Sequence, residues 1–184
     1  FRGEDIAGRT VASLAAQVGY VFQNPDDQIF RYNVLDEVMF GPLNIGMDEK
    51  TAREKSREAL AMTGLAGLED RNPYDLELYE RKMVAIASVL AMDPDVLILD
   101  EPTNDLDIQT LTILEDYLDT FPGIVITVSH DRYFLDRVVT KIVELDNGIG
   151  TMFSGNYSAY SDKKAMLRDA KIRAYLNQQQ EIRH

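Results

Sequence analysis

The chain has 184 residues, 45% of them hydrophobic, which is enough for one folded unit with a real core. No apolar run approaches the roughly 20 residues that span a bilayer, which excludes a membrane channel, and no signal-peptide pattern opens the sequence. Zero cysteines exclude disulfides and thiolate metal sites and fit a reducing, cytoplasmic setting.

The net charge of −12 is unevenly spread. Residues 162–184 hold six bases (Lys163, Lys164, Arg168, Lys171, Arg173, Arg183) and three acids (Asp162, Asp169, Glu181), so the remainder carries −15. An acidic body disfavours broad contact with nucleic acid, whereas a basic helical tail permits a local one. A solvated helix accounts for the tail equally well.

Phe1 opens inside what reads as a strand–turn–helix, so the sequence is expected to be part of a longer protein. Gln17 to Phe22 is a β-type run that stops at Gln23-Asn24-Pro25. Asp48 to Met62 is rich in Ala, Glu, Lys and Arg, hence helical, with Asp48 as N-cap and Gly64 near its end. Leu78 to Met92 has apolar residues on most faces (Met83, Val84, Ile86, Ala87, Val89, Leu90), the mark of a buried helix. Pro94 leads into a strand at Val96–Leu99 that ends in two adjacent carboxylates, Asp100 and Glu101. Asp107 caps a helix from Ile108 to Leu118. A second apolar strand, Ile124–Val128, delivers Ser129-His130-Asp131, and Arg132 to Val139 is a short helix. Ile142–Leu145 and Thr151–Phe153 flank Asp146-Asn147-Gly148, a hairpin signal. Beyond a boundary near Tyr160, glycine and proline vanish and one polar helix runs to His184.

Strands alternating with helices predict a mainly parallel sheet with helices on both faces. Carboxylates at the end of a buried parallel strand then lie at the carboxyl edge, where open α/β sheets bind ligands, and His130 arrives at the same edge.

The order Gln23, Asp100-Glu101, Asn104 to Asp107, His130, each at the end of an element, resembles the ATP-hydrolysing half of ABC-type ATPases. The resemblance implies an α/β fold of the P-loop NTPase kind, with a helical subdomain at about 36–92. Residues 1–160 would form a partial nucleotide-binding domain and 161–184 a linker helix. It also implies ATP and Mg2+ as ligands, with Asp100 and Gln23 near the metal. Glu101 is the implied acceptor of a proton from the attacking water, and His130 the donor to the γ-phosphate. A lone aspartate at a strand end suits magnesium, which keeps several waters. Asp100-Glu101 alone, without that order, is better explained as strand-end solvation and helix capping.

Two subfamilies share the resemblance. Residues 18–99, with Val18-Gly-Tyr-Val-Phe-Gln-Asn-Pro-Asp-Asp-Gln-Ile-Phe30, Asp36-Glu37-Val38 and Phe40-Gly41-Pro42, resemble ATPases of energy-coupling-factor importers. Residues 101–160 resemble the ABC-F group through Glu101-Pro-Thr-Asn-Asp-Leu-Asp107, Val128-Ser-His-Asp-Arg-Tyr-Phe-Leu-Asp-Arg-Val138 and Ser154-Gly-Asn-Tyr-Ser-Ala-Tyr160. The tail, with Lys163-Lys164 and Tyr175 to Arg183, is similar to the start of the ABC-F interdomain linker. The sequence thus reads as a mosaic joined near Asp100–Thr103, with ABC-F, which acts on ribosomes, as the expected group and importer ATPase as the alternative. Implied partners are a second nucleotide-binding domain, ribosomal RNA in the first case, and transmembrane importer subunits in the second. A non-catalytic fragment that keeps only the fold and the linker is the remaining reading.

Two departures from the family pattern matter. No G-x-x-x-x-G-K-[ST] phosphate loop occurs in the chain, so by itself it is expected to bind ATP scarcely and not to hydrolyse it. Where a Leu-Ser-Gly-Gly-Gln signature would stand, the chain has Leu76-Glu77-Leu78-Tyr79-Glu80. Glu77, Leu78 and Tyr79 put a charge and two side chains where backbone amides would grip phosphate.

Overall fold

The computed structural model describes residues 3–182 and divides into two compact units, Phe1–His130 and Asp131–His184. In the first unit the elements are α1 (Val11–Ala15), β1 (Val18–Val21), α2 (Val34–Asn44), α3 (Glu49–Met62), α4 (Leu78–Leu90), β2 (Val96–Asp100), α5 (Ile108–Thr120) and β3 (Ile124–Val128). The second contains α6 (Arg132–Val138), β4 (Lys141–Asp146), β5 (Ile149–Ser154) and α7 (Tyr157–Ile182). Phe1, and Arg183 and His184 at the end of the expected linker helix, lie outside the described residues.

β1, β2 and β3 form a parallel sheet with β2 in the middle. Register pairs Gly19 with Leu97 and Val21 with Leu99, and these four residues are buried on one face. α4 packs on that face, with Val89 and Pro94 directly over Gly19. α4 is apolar nearly all round because α2, α3 and the sheet all pack against it. Sequence reasoning expected helices on both faces of the sheet. Among the described residues the opposite face is largely open, with Tyr20, Ile124, Ile126 and Val128 exposed. The covering layer excludes water from the inward residues of β1 and β2, whereas no residue of β3 is buried, although β1 and β3 are both edge strands.

Local chemistry explains most boundaries. Asp48 caps α3 by accepting the Thr51 N–H at 3.0 Å, and Asp107 caps α5 by accepting that of Thr110 at 2.7 Å. Sequence reasoning passed over α2, whose interior holds Gly41 and Pro42, both poor helix residues. Burial of Val34, Leu35, Val38 and Met39 offsets them, and Asn33 caps the helix through the Asp36 N–H. The strand expected at the start of the chain is absent among the described residues, where a turn precedes the five-residue α1.

In the second unit β4 and β5 form the expected antiparallel hairpin. Asn147 (φ 48°) and Gly148 (φ 79°) supply the left-handed conformations that a two-residue turn requires. α7 begins at Tyr157, and two tail bases turn back onto the hairpin. Lys164 donates to the Glu144 carboxylate, which raises the ammonium and lowers the carboxyl from their ordinary values, and Lys163 lies over the Phe153 ring.

Gly123 opens β3 where its backbone meets that of the loop before β2. A Cβ there would stand 2.2 Å from the Asp95 carbonyl oxygen, which also accepts the Ile124 N–H. Because the obstacle is backbone, Gly123→Ala is expected to destabilise the chain by about 1–3 kcal/mol. Gly8→Ala, where the space is open, should stay within about 0.5 kcal/mol. Urea titration of both variants checks this; equal midpoints would mean that the approach is not confining.

Candidate functional site

The carboxyl ends of β2 and β3 bring the candidate residues together. Parallel register places Asp100 beside Val128, so Glu101 and His130 leave adjacent strands at one level. The Glu101 N–H continues the ladder by donating to the Val128 carbonyl at 2.8 Å. Its backbone then turns into the left-handed region (φ 43°), which costs a non-glycine residue about 1–3 kcal/mol and needs surrounding structure to hold it. That turn sends the carboxylate back beneath β3. Oε2 accepts the His130 N–H at 3.2 Å, and Oε1 lies 3.4 Å from His130 Nε2. Glu101 is 7% exposed, while the His130 side chain is 96% exposed. A buried carboxylate and a solvent-facing imidazole therefore stand side by side at the sheet edge. Thr103 and Ser129, whose hydroxyls lie 3.4 Å apart, close the same two turns a little further on.

Asp100 ends β2 half-exposed and accepts a hydrogen bond from the Tyr20 hydroxyl at 3.2 Å. Desolvation first, then that bond and the aspartate charge, push the Tyr20 hydroxyl above its ordinary value, so it remains a donor. Among the described residues no group of three or more His, Cys, Asp or Glu could cage a metal. Magnesium needs no such cage when phosphate and water complete its shell, and a single accessible strand-end carboxylate such as Asp100 fits that pattern.

Gln23 lies exposed in the loop after β1. This loop is fastened to α4. The Gln28 amide donates to the Ala85 carbonyl (2.8 Å) and the Ser88 hydroxyl (3.1 Å), and Arg81 lies 3.4 Å from Asp26. Lys82, wholly buried, donates to the main-chain carbonyls of Phe22, Gln23 and Glu101. Burial pushes its ammonium below the ordinary lysine value, opposed by the charges of Asp105, Asp100 and Glu101. Further along, Glu37 (3% exposed) accepts the N–H groups of Phe30 and Arg31 at 3.0 and 2.7 Å, a physical role for the Asp36-Glu37-Val38 motif.

Glu77 precedes the first turn of α4, and its N–H donates to the Glu80 carboxylate at 2.9 Å, an arrangement that starts a helix without a ligand. Leu78 is exposed and Tyr79 half-buried. The Tyr79 hydroxyl is raised first by the charge of Glu80, then by desolvation and the charges of Asp107 and Glu77. Residues 77–79 and Asp107 thus share one electrostatic neighbourhood. Lys82 and Tyr20 escaped sequence reasoning. Lys82 follows Glu80 and Arg81 and reads as part of a solvated charged turn, and nothing in the sequence singles out Tyr20.

Adjacent carboxylates and a histidine thus stand at the carboxyl edge of a parallel sheet, where open α/β sheets bind ligands. A family model described as ABC transporter matches residues 1–104, and a second, also described as ABC transporter, matches residues 143–184. The chain belongs to the ABC transporter family. The energy-coupling factor transporter ATP-binding protein EcfA of Methanoculleus marisnigri is 44% identical over 151 residues, covering 80% of this chain and 54% of that protein. The structure of cbiO1 from Clostridium perfringens, part of the ABC transporter complex cbiONQ, superposes with a TM-score of 0.74 at 31% identity, over 92% of this chain and 68% of that one. A dimeric ATP-binding cassette, MJ0796, bound to ADP and Pi, shares the fold with a TM-score of 0.66 at 24% identity, over 78% of this chain and 65% of that one. The chain spans about half the length of the curated relatives it matches.

The Thr110 N–H on its carboxylate holds Asp107 below the ordinary carboxyl value of 3.8. A lowered folded value contributes stability that is present above 3.8 and is lost as pH falls through the folded value. Asp107→Ala is therefore expected to lower the thermal midpoint at pH 7, with the gap to the unmodified chain narrowing at pH 3. A gap of the same size at both pH values would show that the carboxylate charge contributes nothing to the cap.

Proposed function

We propose that the chain is the hydrolytic part of an ATP-binding subunit of an energy-coupling-factor-type importer, which converts ATP and water to ADP and phosphate. The observation that carries hydrolysis is the pairing at the sheet edge: a buried Glu101 carboxylate under the His130 amide, one residue beyond the accessible Asp100. The importer reading rests on the 44% identity to an energy-coupling-factor ATP-binding protein and the likeness to cbiO1.

Mg2+, when bound with ATP, would neutralise charge on the phosphates, and Asp100 and Gln23 are the residues to hold it. Glu101 would accept the proton of the attacking water, for which it has only to be within hydrogen-bond reach. His130, its side chain almost wholly in solvent and 3.4 Å from the Glu101 carboxylate, would donate to the γ-phosphate. A phosphate loop, absent from this sequence, must come from elsewhere in the protein.

Asp107 and residues 77–79 would face a nucleotide held by a second ABC nucleotide-binding domain. Glu77 would then meet phosphate with like charge, which weakens that half of the seam. Residues 1–160 are read as the partial nucleotide-binding domain, 36–92 as its helical subdomain and 161–184 as a linker.

For transmembrane importer subunits the available surface is an apolar groove of about 290 Å3 lined by Phe30, Phe40, Ile45, Val89 and Met92. Phe30, Phe40 and the nearby Leu43 are exposed, as at a partner-binding face. No helix among the described residues is long and apolar enough to cross a membrane; on the importer reading this chain would dock on the cytoplasmic face of those subunits. The ABC-F reading rests only on the motifs of residues 101–160 and the tail. Recovery of the complete protein with membrane subunits favours the importer, and co-sedimentation with ribosomes favours ABC-F.

In the complete protein, Glu101→Gln is expected to preserve ATP binding while slowing hydrolysis by about 10²–10⁴-fold, the usual reach of a general base. Phosphate release at saturating ATP measures this. Turnover at the unmodified rate would remove Glu101 from the role.

A further inference from the structure

Lys82 sits one turn into α4 with no exposed surface, after Glu80 and Arg81 and just before the buried run Met83, Val84, Ala85 and Ile86. An ammonium group has three donors, and here they converge on three main-chain carbonyls. Two belong to the loop after β1, Phe22 at 3.4 Å and Gln23; the third, Glu101 at 3.2 Å, belongs to the turn after β2. A buried cation loses its hydration, and an apolar residue of similar volume serves packing as well or better. What methionine or leucine cannot do is donate to two separate loops at once. The other ties between α4 and the loop, Arg81 with Asp26 and Gln28 with Ala85 and Ser88, do not reach the Glu101 turn.

We propose that Lys82 is a positioning residue that locks the Gln23 loop and the Glu101 turn to the start of α4, so that a shift of residues 77–82 moves both side chains together. Its consequence for turnover rests on the ATPase reading above; its effect on the two loops does not. Backbone carbonyls are the right handle for this task. Fixing a carbonyl fixes the peptide plane, and with it the direction in which the Gln23 and Glu101 side chains leave the backbone. At Glu101 this matters most, because its left-handed conformation must be held from outside. Lys82 and the Val128 carbonyl hold the two faces of that residue, one through its C=O and the other through its N–H. The same clamp links residues 77–79, and whatever they face, to the general base.

The test compares Lys82→Met, which keeps the length and loses the donors, with Lys82→Arg, which keeps donors. Amide hydrogen exchange on the 184-residue chain should rise about tenfold in residues 22–24 and 101–104 together, with α3 unchanged, as expected when a charged hydrogen-bond clamp is removed. In the complete protein, Lys82→Met should lower kcat about tenfold while KM for ATP stays within about threefold, the mark of lost positioning rather than lost binding. Lys82→Arg should lie nearer the unmodified protein on both measures. Exchange rising equally in α3 would make Lys82 an ordinary core residue. Loosening of only one loop, neither loop, or an unchanged kcat would also overturn the proposal. A complete unmodified protein that fails to hydrolyse ATP would defeat the ATPase reading instead, and the exchange measurement would still decide the role of Lys82.

Discussion

Pairing of β2 on both edges is the constraint from which the site follows. Val96–Asp100 is held by β1 on one side and β3 on the other, and Leu97 and Leu99 anchor it beneath α4 with no exposed surface. A strand so fixed cannot slip by one residue without turning its buried side chains outward. The position of Asp100 is therefore set by the core and not by any contact of its own. Glu101 inherits this precision through a single further ladder bond to Val128, after which the backbone leaves the sheet in a strained turn. Rigid support followed by one strained residue is a recurrent way to aim a side chain.

α4 supplies the complementary half. Its apolar residues bury the sheet face, while Arg81 and Lys82 at its start turn towards the loops that carry Gln23 and Glu101. Packing and placement thus share one helix. The helix begins at residues 77–79, where the family signature would stand, and the Glu77–Glu80 bond gives that start a stability independent of phosphate.

The parts of this arrangement differ in how visible they were from sequence. β2, β3 and the hairpin announce themselves through apolar β-type runs and Asn147-Gly148, because the local rules and the tertiary structure agree there. The nearness of Glu101 and His130 was legible too, since two parallel strands bring their carboxyl ends to one edge. α2 was not, because Gly41 and Pro42 contradict its conformation and only burial overrides them. The open sheet face is not legible because Ile124, Ile126 and Val128 read as core residues, whereas among the described residues they stay exposed. Lys82 was passed over because a charged residue in a helix ordinarily marks a solvated face. The preference for ABC-F rests on short motifs within 101–160, whereas the likeness to an energy-coupling factor transporter ATP-binding protein extends over 80% of the chain and favours the other reading.

The central claim is that Gln23, Asp100, Glu101 and His130 surround the terminal phosphate of ATP. A crystal structure of the complete protein with Mg2+ and a non-hydrolysable ATP analogue tests it most directly. The account predicts a water in line with the γ-phosphate within about 3 Å of Glu101, the usual reach of a general base. It also predicts the metal beside Asp100 and the His130 imidazole on a γ-phosphate oxygen. A nucleotide bound with its phosphates away from the carboxyl ends of β2 and β3 would contradict it.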